Sequence, residues 1–162
     1  MCLVRSRTKR NTQEVADAIV YNPEEGTAVW KETGEDCCKV QRSDDRYDRV
    51  VIQHRDNTYV AARVFYFIMT REQPKQVDHA DTNSTNNKWS NLRAATGHQN
   101  QRNRGKNSNN KSGYKGVSFM PEKNKWRATC CGKHLGLFSS PEAAHEAYVE
   151  YATANHGRFA RH

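Results

Sequence analysis

Hydrophobic positions in the first part of the chain occur in short clusters separated by polar residues. Apolar residues recur at helical spacing over residues 12–21, which predicts a helix with Thr12 as its cap. Residues 22–26 predict a turn, and residues 27–31 predict a strand. Residues 32–45 are polar and are predicted to form a loop. The pattern therefore favours short helices and short strands.

The most apolar stretch of the chain covers residues 59–69 and predicts the helix around which the first domain packs. Its apolar face consists of Val60, Ala61, Val64, Phe65 and Ile68. A strand is predicted before it, over Arg49–His54, with a turn at Asp56 and Asn57. His54 ends that strand, and we interpret it as a surface or core histidine rather than a DNA contact.

A different pattern follows Pro74, which breaks the chain. Residues 77–80 and 92–94 predict two short strands joined by a polar loop over residues 81–90. Thr96 and the glutamine three residues later fit a capping box, so a helix is predicted to begin there. The order strand, loop, strand and helix predicts a ββα unit.

The pattern changes again after residue 112. Three strands are predicted over residues 113–119, 125–131 and 134–138. Ser140 is a good helix cap and is followed by proline, and Gly157 is a suitable end, so one helix is predicted between them. Its predicted buried face is Ala144, Ala147, Tyr148 and Tyr151. The fold class predicted for the whole chain is α+β, with this small sheet packed on one helix.

Charge divides the chain unequally. The formal net charge is +8, and residues 97–162 hold eleven lysines and arginines against four acids. A polyanionic partner is therefore expected to bind mainly to the C-terminal part. Residues 1–10 are basic and are predicted to form a loose arm. We predict a first domain over 1–100, a basic linker over 101–112 and a second domain over 113–162. The linker is interpreted equally well as a path along phosphates or as a solvated tether.

The composition excludes several other classes of protein. No apolar run is long enough to cross a bilayer, and the N-terminus has no signal-peptide pattern. We therefore expect no membrane partner and a cytoplasmic location, in the host cell if a phage encodes the chain. Five cysteines, an odd number without the spacing of a zinc knuckle, predict reduced thiols rather than a structural zinc site.

The residues best suited to metal binding and proton transfer follow Pro74. Asp78 and His79 are adjacent in a predicted strand, so their side chains should point to opposite faces. Asp78 and Asn100 offer two hard oxygen ligands, which suit Mg²⁺, with Mn²⁺ as the alternative ion. His79 can accept a proton from an attacking water molecule. Asn91 is better placed to hold the loop and to fix the direction of His79 than to react.

This spacing resembles the HNH endonucleases, in particular the phage and intron homing-type branch whose third motif letter is asparagine. The matching residues are Val77, Asp78, His79, Asn86, Asn87, Asn91, Leu92, Arg93 and Asn100, and the segment 21–30 resembles the opening segment of these proteins. The resemblance implies a ββα-metal nuclease domain, with His79 as general base, Asn91 as loop anchor, and Asp78 and Asn100 as metal ligands.

The sequence departs from that family pattern at one place. Relatives often carry His-Arg in the helix before the motif, and this chain has Ala62 and Arg63. A subsidiary role of that histidine is therefore missing, whereas the residues of the metal site are present. His98 is a possible substitute ligand, but it lies on a different helical face from Asn100 and ranks below it.

The last fifty residues resemble the Apetala or ethylene-response-factor DNA-binding domain. The matching residues are Tyr114 to Val117, Lys125 to Ala128, Leu135 to Phe138, Ala143, Ala144, Ala147, Tyr148, His156 and Gly157. The resemblance implies a sheet that lies in the major groove, with base or backbone contacts from Lys115, Trp126, Arg127, Lys133 and His134. Cys131 stands near the place of a common arginine, so the sequence preference should differ. Trp126 is alternatively part of the core.

The function that these patterns predict is a site-specific DNA endonuclease of the homing type. It would cut one strand or both strands of double-stranded DNA, as a monomer or a homodimer, with Mg²⁺ as cofactor. Arg93 of the motif and Arg102, Arg104 and Lys106 of the linker are further predicted DNA contacts. Two other readings stay open: a DNA-binding regulator with an inactive nuclease domain, and a structural or RNA-binding protein that uses the basic half alone.

Overall fold

A computed structural model describes residues 11–42, 48–103, 105–106 and 109–160 of the chain. Contacts divide the chain into two compact units, Met1–Ala95 and Thr96–His162. The three predicted domain ranges remain predictions, and the predicted basic arm lies outside the described residues. None of the helices in the described part is both long enough and apolar enough to span a membrane.

The first unit is a mixed α and β structure with three small antiparallel sheets. Its helices are α1, Thr12–Ala18, and α2, Ala61–Thr70. Its strands are β1, Ile19–Asn22; β2, Thr27–Trp30; β3, Cys38–Gln41; β4, Arg49–His54; β5, Asn57–Val60; β6, Gln76–His79; and β7, Leu92–Ala95. Strand β1 pairs with β2, β4 lies between β3 and β5, and β6 pairs with β7.

Helix α2 lies at the centre of the hydrophobic core, as the apolar stretch predicts. Phe65 and Val64 are completely or almost completely buried, and they belong to one cluster with Val15, Ile52 and Leu92. The predicted helix over 59–69 begins too early by two residues. Tyr59 pairs with β4, and this strand pairing ends only where the helix starts at Ala61.

Two predicted elements near the N-terminus are wrong in part. The helix predicted over 12–21 ends at Ala18, and the next residues form β1, which pairs with β2. Its cap is Asn11 rather than Thr12, without a side-chain hydrogen bond. The loop predicted over 32–45 contains β3, an exposed edge strand whose ordering comes from pairing with β4.

The second unit contains helix α3, Gly97–Asn103, and a three-stranded antiparallel sheet next to helix α4, Pro141–His156. The strands are β8, Val117–Met120; β9, Lys125–Cys130; and β10, Lys133–Phe138, with β9 in the middle. Three strands followed by one helix were predicted, and the structure confirms this order. The buried residues of α4 are Ala144, Tyr148, Ala152 and His156, whereas the predicted Ala147 and Tyr151 are half-buried.

Local capping explains where these helices begin. The hydroxyl of Ser140 accepts a hydrogen bond from the Ala143 N–H at 3.2 Å. Thr96 and Gln99 form a reciprocal capping box, with the Thr96 N–H donating to Gln99 Oε1 at 2.8 Å and the Gln99 N–H donating to Thr96 Oγ1 at 3.3 Å. Both signals were predicted from the sequence because they depend only on neighbouring residues.

Candidate active site

The β6–β7 hairpin fixes the directions of the first candidate residues. In its antiparallel register Asp78 is opposite Arg93, and His79 is opposite Leu92. Directly opposed residues share a face and neighbours along a strand alternate, so Asp78 and His79 point to opposite faces as predicted. Leu92 belongs to the hydrophobic core, which puts His79 on the core-facing side of the hairpin.

The carboxylate of Asp78 is paired with the guanidinium of Arg93. Arg93 Nη2 and Nε lie 2.7 Å and 2.8 Å from Asp78 Oδ2, and the two side chains are only 13% and 5% exposed. A buried carboxylate next to an arginine forms a strong, charge-assisted contact. The predicted DNA contact of Arg93 therefore competes with a strong contact inside the hairpin.

The ring of His79 is oriented by the side chain of Asn87. His79 Nε2 lies 3.0 Å from Asn87 Oδ1. An amide oxygen can only accept, so in this contact Nε2 carries the hydrogen and the lone pair of the neutral ring is on Nδ1. This tautomer has a defined proton acceptor, as a general base requires.

Asn87 is itself fixed from the N-terminal part of the unit. Its side chain is almost completely buried, and its backbone oxygen accepts a hydrogen bond from the Tyr21 hydroxyl at 2.7 Å. Burial raises the pKa of Tyr21 to about 12, so the hydroxyl keeps its proton and donates. The Trp89 N–H donates to the oxygen of Pro23 at 2.9 Å. The segment 21–26 thus supports the loop beside His79.

Asn91 closes the loop between the two strands. Its Oδ1 accepts from the Asp81 N–H at 2.9 Å, and its Nδ2 donates to Asp81 Oδ1 at 2.9 Å and to the Asn86 oxygen at 2.8 Å. This geometry agrees with the predicted loop anchor. The His79 ring contacts Asn87, whereas the Asn91 side chain contacts Asp81 and Asn86, so a role of Asn91 in fixing the direction of His79 stays a prediction.

Asp81 is the hub of these loop contacts. Desolvation by burial alone would raise the pKa of its carboxyl, but hydrogen bonds from Asn86, from the Asn83 N–H and from Asn91 outweigh it. The net pKa of the Asp81 carboxyl is therefore lowered, which favours its ionised form in the closed loop.

Asn100 and His98 lie on α3, in the second unit. Asn100 is half-buried, with its backbone N–H bonded to the Thr96 oxygen at 3.0 Å, and His98 is exposed. The carboxylate of Asp78 and an amide oxygen of Asn100 are hard donors of the kind that Mg²⁺ and Mn²⁺ take. The donor chemistry fits such an ion, and the ligand pair remains a prediction.

The predicted DNA contacts on the three-stranded sheet of the second unit lie on two different faces of that sheet. Arg127 and His134 are exposed, and the register puts them on the sheet face opposite Ala128 and Cys130, which are buried. Trp126 shares the face of Ala128 and packs against the core, which agrees with the alternative reading of this residue.

Three further predicted DNA contacts are lysines whose side chains contact other residues of the second unit. Lys133 Nζ is 4.8 Å from the centre of the Tyr151 ring, on the helix side of the sheet. Lys115 Nζ donates to the oxygen of Arg102 at 2.6 Å. Lys106 Nζ donates to the Gly113 oxygen at 3.1 Å, and Arg104 lies outside the described residues.

Comparison with known proteins gives one similarity. Residues 72–102 match the family described as HNH endonuclease, a segment that runs from before β6 to the end of α3. No curated protein and no solved structure matches the chain. The match suggests a nuclease, and HNH nucleases bind DNA and use divalent metals. It includes Asp78, His79, Asn91 and Asn100, the four residues that the sequence pattern singles out.

Proposed function

We propose that this protein is a metal-dependent DNA endonuclease with a ββα-metal nuclease domain. The similarity of residues 72–102 to the HNH endonucleases carries the proposal. The contact between His79 and Asn87 and the buried pair of Asp78 and Arg93 support it. We further propose the site-specific, homing-type activity of the phage and intron branch, because the third motif letter is Asn100.

The reaction is hydrolysis of one phosphodiester bond. His79 accepts the proton of a water molecule that attacks phosphorus, and the bond to the 3′ oxygen breaks. The departing oxygen takes a proton from solvent, which leaves a 5′-phosphate and a 3′-hydroxyl. Asp78 and Asn100 would hold Mg²⁺ or Mn²⁺, which stabilises negative charge on the phosphate and the leaving oxygen when bound. Asn87 orients the imidazole, and Asn91 keeps the loop closed.

The C-terminal unit is proposed to bind the DNA duplex as an Apetala-like domain. Arg127 and His134 share the open face of its sheet with Lys125, which is also exposed. A sheet with basic residues on its solvent face can enter the major groove, where arginine recognises guanine. The positive balance of residues 97–162 supports the same partner.

Cleavage should depend on a divalent metal. We expect the purified full-length chain with Mg²⁺ to cut a library of duplex DNA at discrete positions, and chelation to stop it. Added Mg²⁺ or Mn²⁺ should restore cutting, because the proposed donors are oxygens. Mapping the cut ends, with and without the metal, shows whether cleavage is metal-dependent and occurs at discrete positions. Sequence-specific binding without cleavage under any divalent metal would favour the regulator instead.

Replacing Arg127 with alanine should weaken DNA binding about tenfold, within the range of one good arginine contact to a base. Lys133→Ala is the matched control, because it removes the same charge from a residue that packs on Tyr151 on the helix side. We expect it to weaken binding by less than about threefold. Fluorescence anisotropy at fixed salt gives both Kd values. Equal losses in the two variants would contradict recognition by the open face.

A further inference from the structure

A second group of metal-binding side chains lies in the C-terminal unit. Cys130 ends β9, Cys131 begins the turn to β10, and His156 ends α4. One ligand atom from each residue lies within 4.8 Å of the others, and Cys131 Sγ is 3.6 Å from His156 Nε2. Since 25 positions separate the turn from the histidine, the fold rather than local sequence brings the three together.

These distances suit one ion held by all three residues. A tetrahedral zinc ion with bonds of about 2.3 Å to sulfur and about 2.0 Å to nitrogen holds those ligands about 3.5 Å apart. Two thiolates and an imidazole are soft and borderline ligands, which zinc prefers and magnesium does not. We propose that Cys130, Cys131 and His156 bind Zn²⁺, with a water molecule as the fourth ligand.

The backbone of the turn gives independent support. Cys131 and Gly132 both have positive φ angles, 52° and 81°. Two such residues form the tight hairpin turn in which asparagine, aspartate and glycine are favoured. A cysteine at the first of these positions gains nothing from the turn itself, whereas the turn directs its thiol toward His156. The turn accounts for the positive φ angle, and a ligand role would account for the cysteine at this position.

The position of the group would also let an ion tie the unit together. Cys130 and His156 are buried, and Cys131 is exposed, so the group opens to solvent on one side. An ion there would join the end of the β9–β10 hairpin to the end of α4. In a unit of this size a metal is a common supplement to a small hydrophobic core. This role is separate from the proposed cleavage chemistry.

Cobalt binding tests the proposal without an activity assay. The reduced full-length chain should take up one equivalent of Co²⁺ with thiolate-to-metal absorption in the near ultraviolet, and Zn²⁺ should displace it. Cys131→Asn should reduce this absorption, because only the Cys130 thiolate remains, and should bind Zn²⁺ at least ~10-fold more weakly. Asparagine tolerates the positive φ and the site is exposed, so this variant should still fold.

Cys38→Ser is the control, because it removes a thiol from the other adjacent pair, Cys37 and Cys38. It should bind Co²⁺ with the spectrum of the unaltered chain. Three outcomes would each overturn the proposal: no thiolate absorption in the reduced chain, the same spectrum in Cys131→Asn, or a spectrum that depends on Cys38 instead. His156→Gln, checked for folding by circular dichroism, should shift the cobalt bands as one nitrogen ligand is lost.

Discussion

Replacing His79 with alanine is expected to slow DNA cleavage by about 10²- to 10⁴-fold, the usual contribution of a positioned acid or base. The ring is half-buried next to Asn87, and its loss removes the proposed proton acceptor. DNA affinity should change little, because the proposed binding face lies in the other unit. Single-turnover rates at saturating DNA and Mg²⁺, with Kd from anisotropy, measure both effects.

His54→Ala is the matched control for this prediction. His54 is also a half-buried histidine of the first unit, but it lies beside Glu14 and Trp30, at the end of β4. Its replacement removes an imidazole of the same size and should leave the cleavage rate within about threefold. A His79→Ala chain that cuts at the unaltered rate, or equal losses in both variants, would remove His79 from the mechanism.

Asn87 is a positioning residue in this scheme, so its effect must pass through His79. Asn87→Ala should reduce the cleavage rate in the unaltered chain and have little effect where His79 is already alanine. Such non-additivity is the signature of two residues that act as one. A purely structural role for Asn87 would instead reduce the rate by the same factor in both backgrounds.

The sequence predicts best those features that depend on neighbouring residues. The hairpin directions of Asp78 and His79 follow from strand alternation, and the capping box at Thr96 follows from a three-residue spacing. The three strands and helix of the C-terminal unit follow from alternation and from the cap at Ser140. In each case the responsible interaction lies within a few residues of the signal.

Features that depend on distant partners were missed or only partly predicted. Ile19 and Tyr21 fit a helical face as well as a strand face, and only pairing with β2 decides between them. Strand β3 is polar and exposed, so its pairing with β4 leaves no pattern in the sequence. The same limit applies to the contact of Asn87 with His79, which depends on the path of the loop.

The grouping of Cys130, Cys131 and His156 cannot be predicted from cysteine spacing. Adjacent Cys130 and Cys131 lack the separation of a zinc knuckle, so the sequence predicted reduced thiols. The third member of the cluster, His156, enters through the packing of α4 against β9 and β10. One feature of the sequence does draw attention to Cys131. It precedes Gly132 in the turn, at a position where asparagine is favoured.

Gly26→Ala should destabilise the first unit and reduce cleavage together. Gly26 has a φ of 76°, and a β-carbon there would lie 2.5 Å from the Lys88 nitrogen and 2.6 Å from the Asn87 carbonyl carbon. These are backbone atoms, so the loop beside His79 must move away from the turn. Loss of the Tyr21–Asn87 hydrogen bond and the strained φ give a combined cost of at least ~2 kcal/mol.

Gly34→Ala separates the strain of the backbone from the displacement of the loop. Gly34 has a similar φ of 72°, but among the described residues no atom beyond its immediate chain neighbours lies within 4 Å of a β-carbon there. Its replacement should cost about 1–2 kcal/mol from φ alone and leave the cleavage rate of the folded chain unchanged. Calorimetry and single-turnover rates below both Tm values compare the variants. If Gly26→Ala cost no more than Gly34→Ala and cut equally fast, the turn at 22–26 would not support the loop, and the position of Asn87 would need another cause.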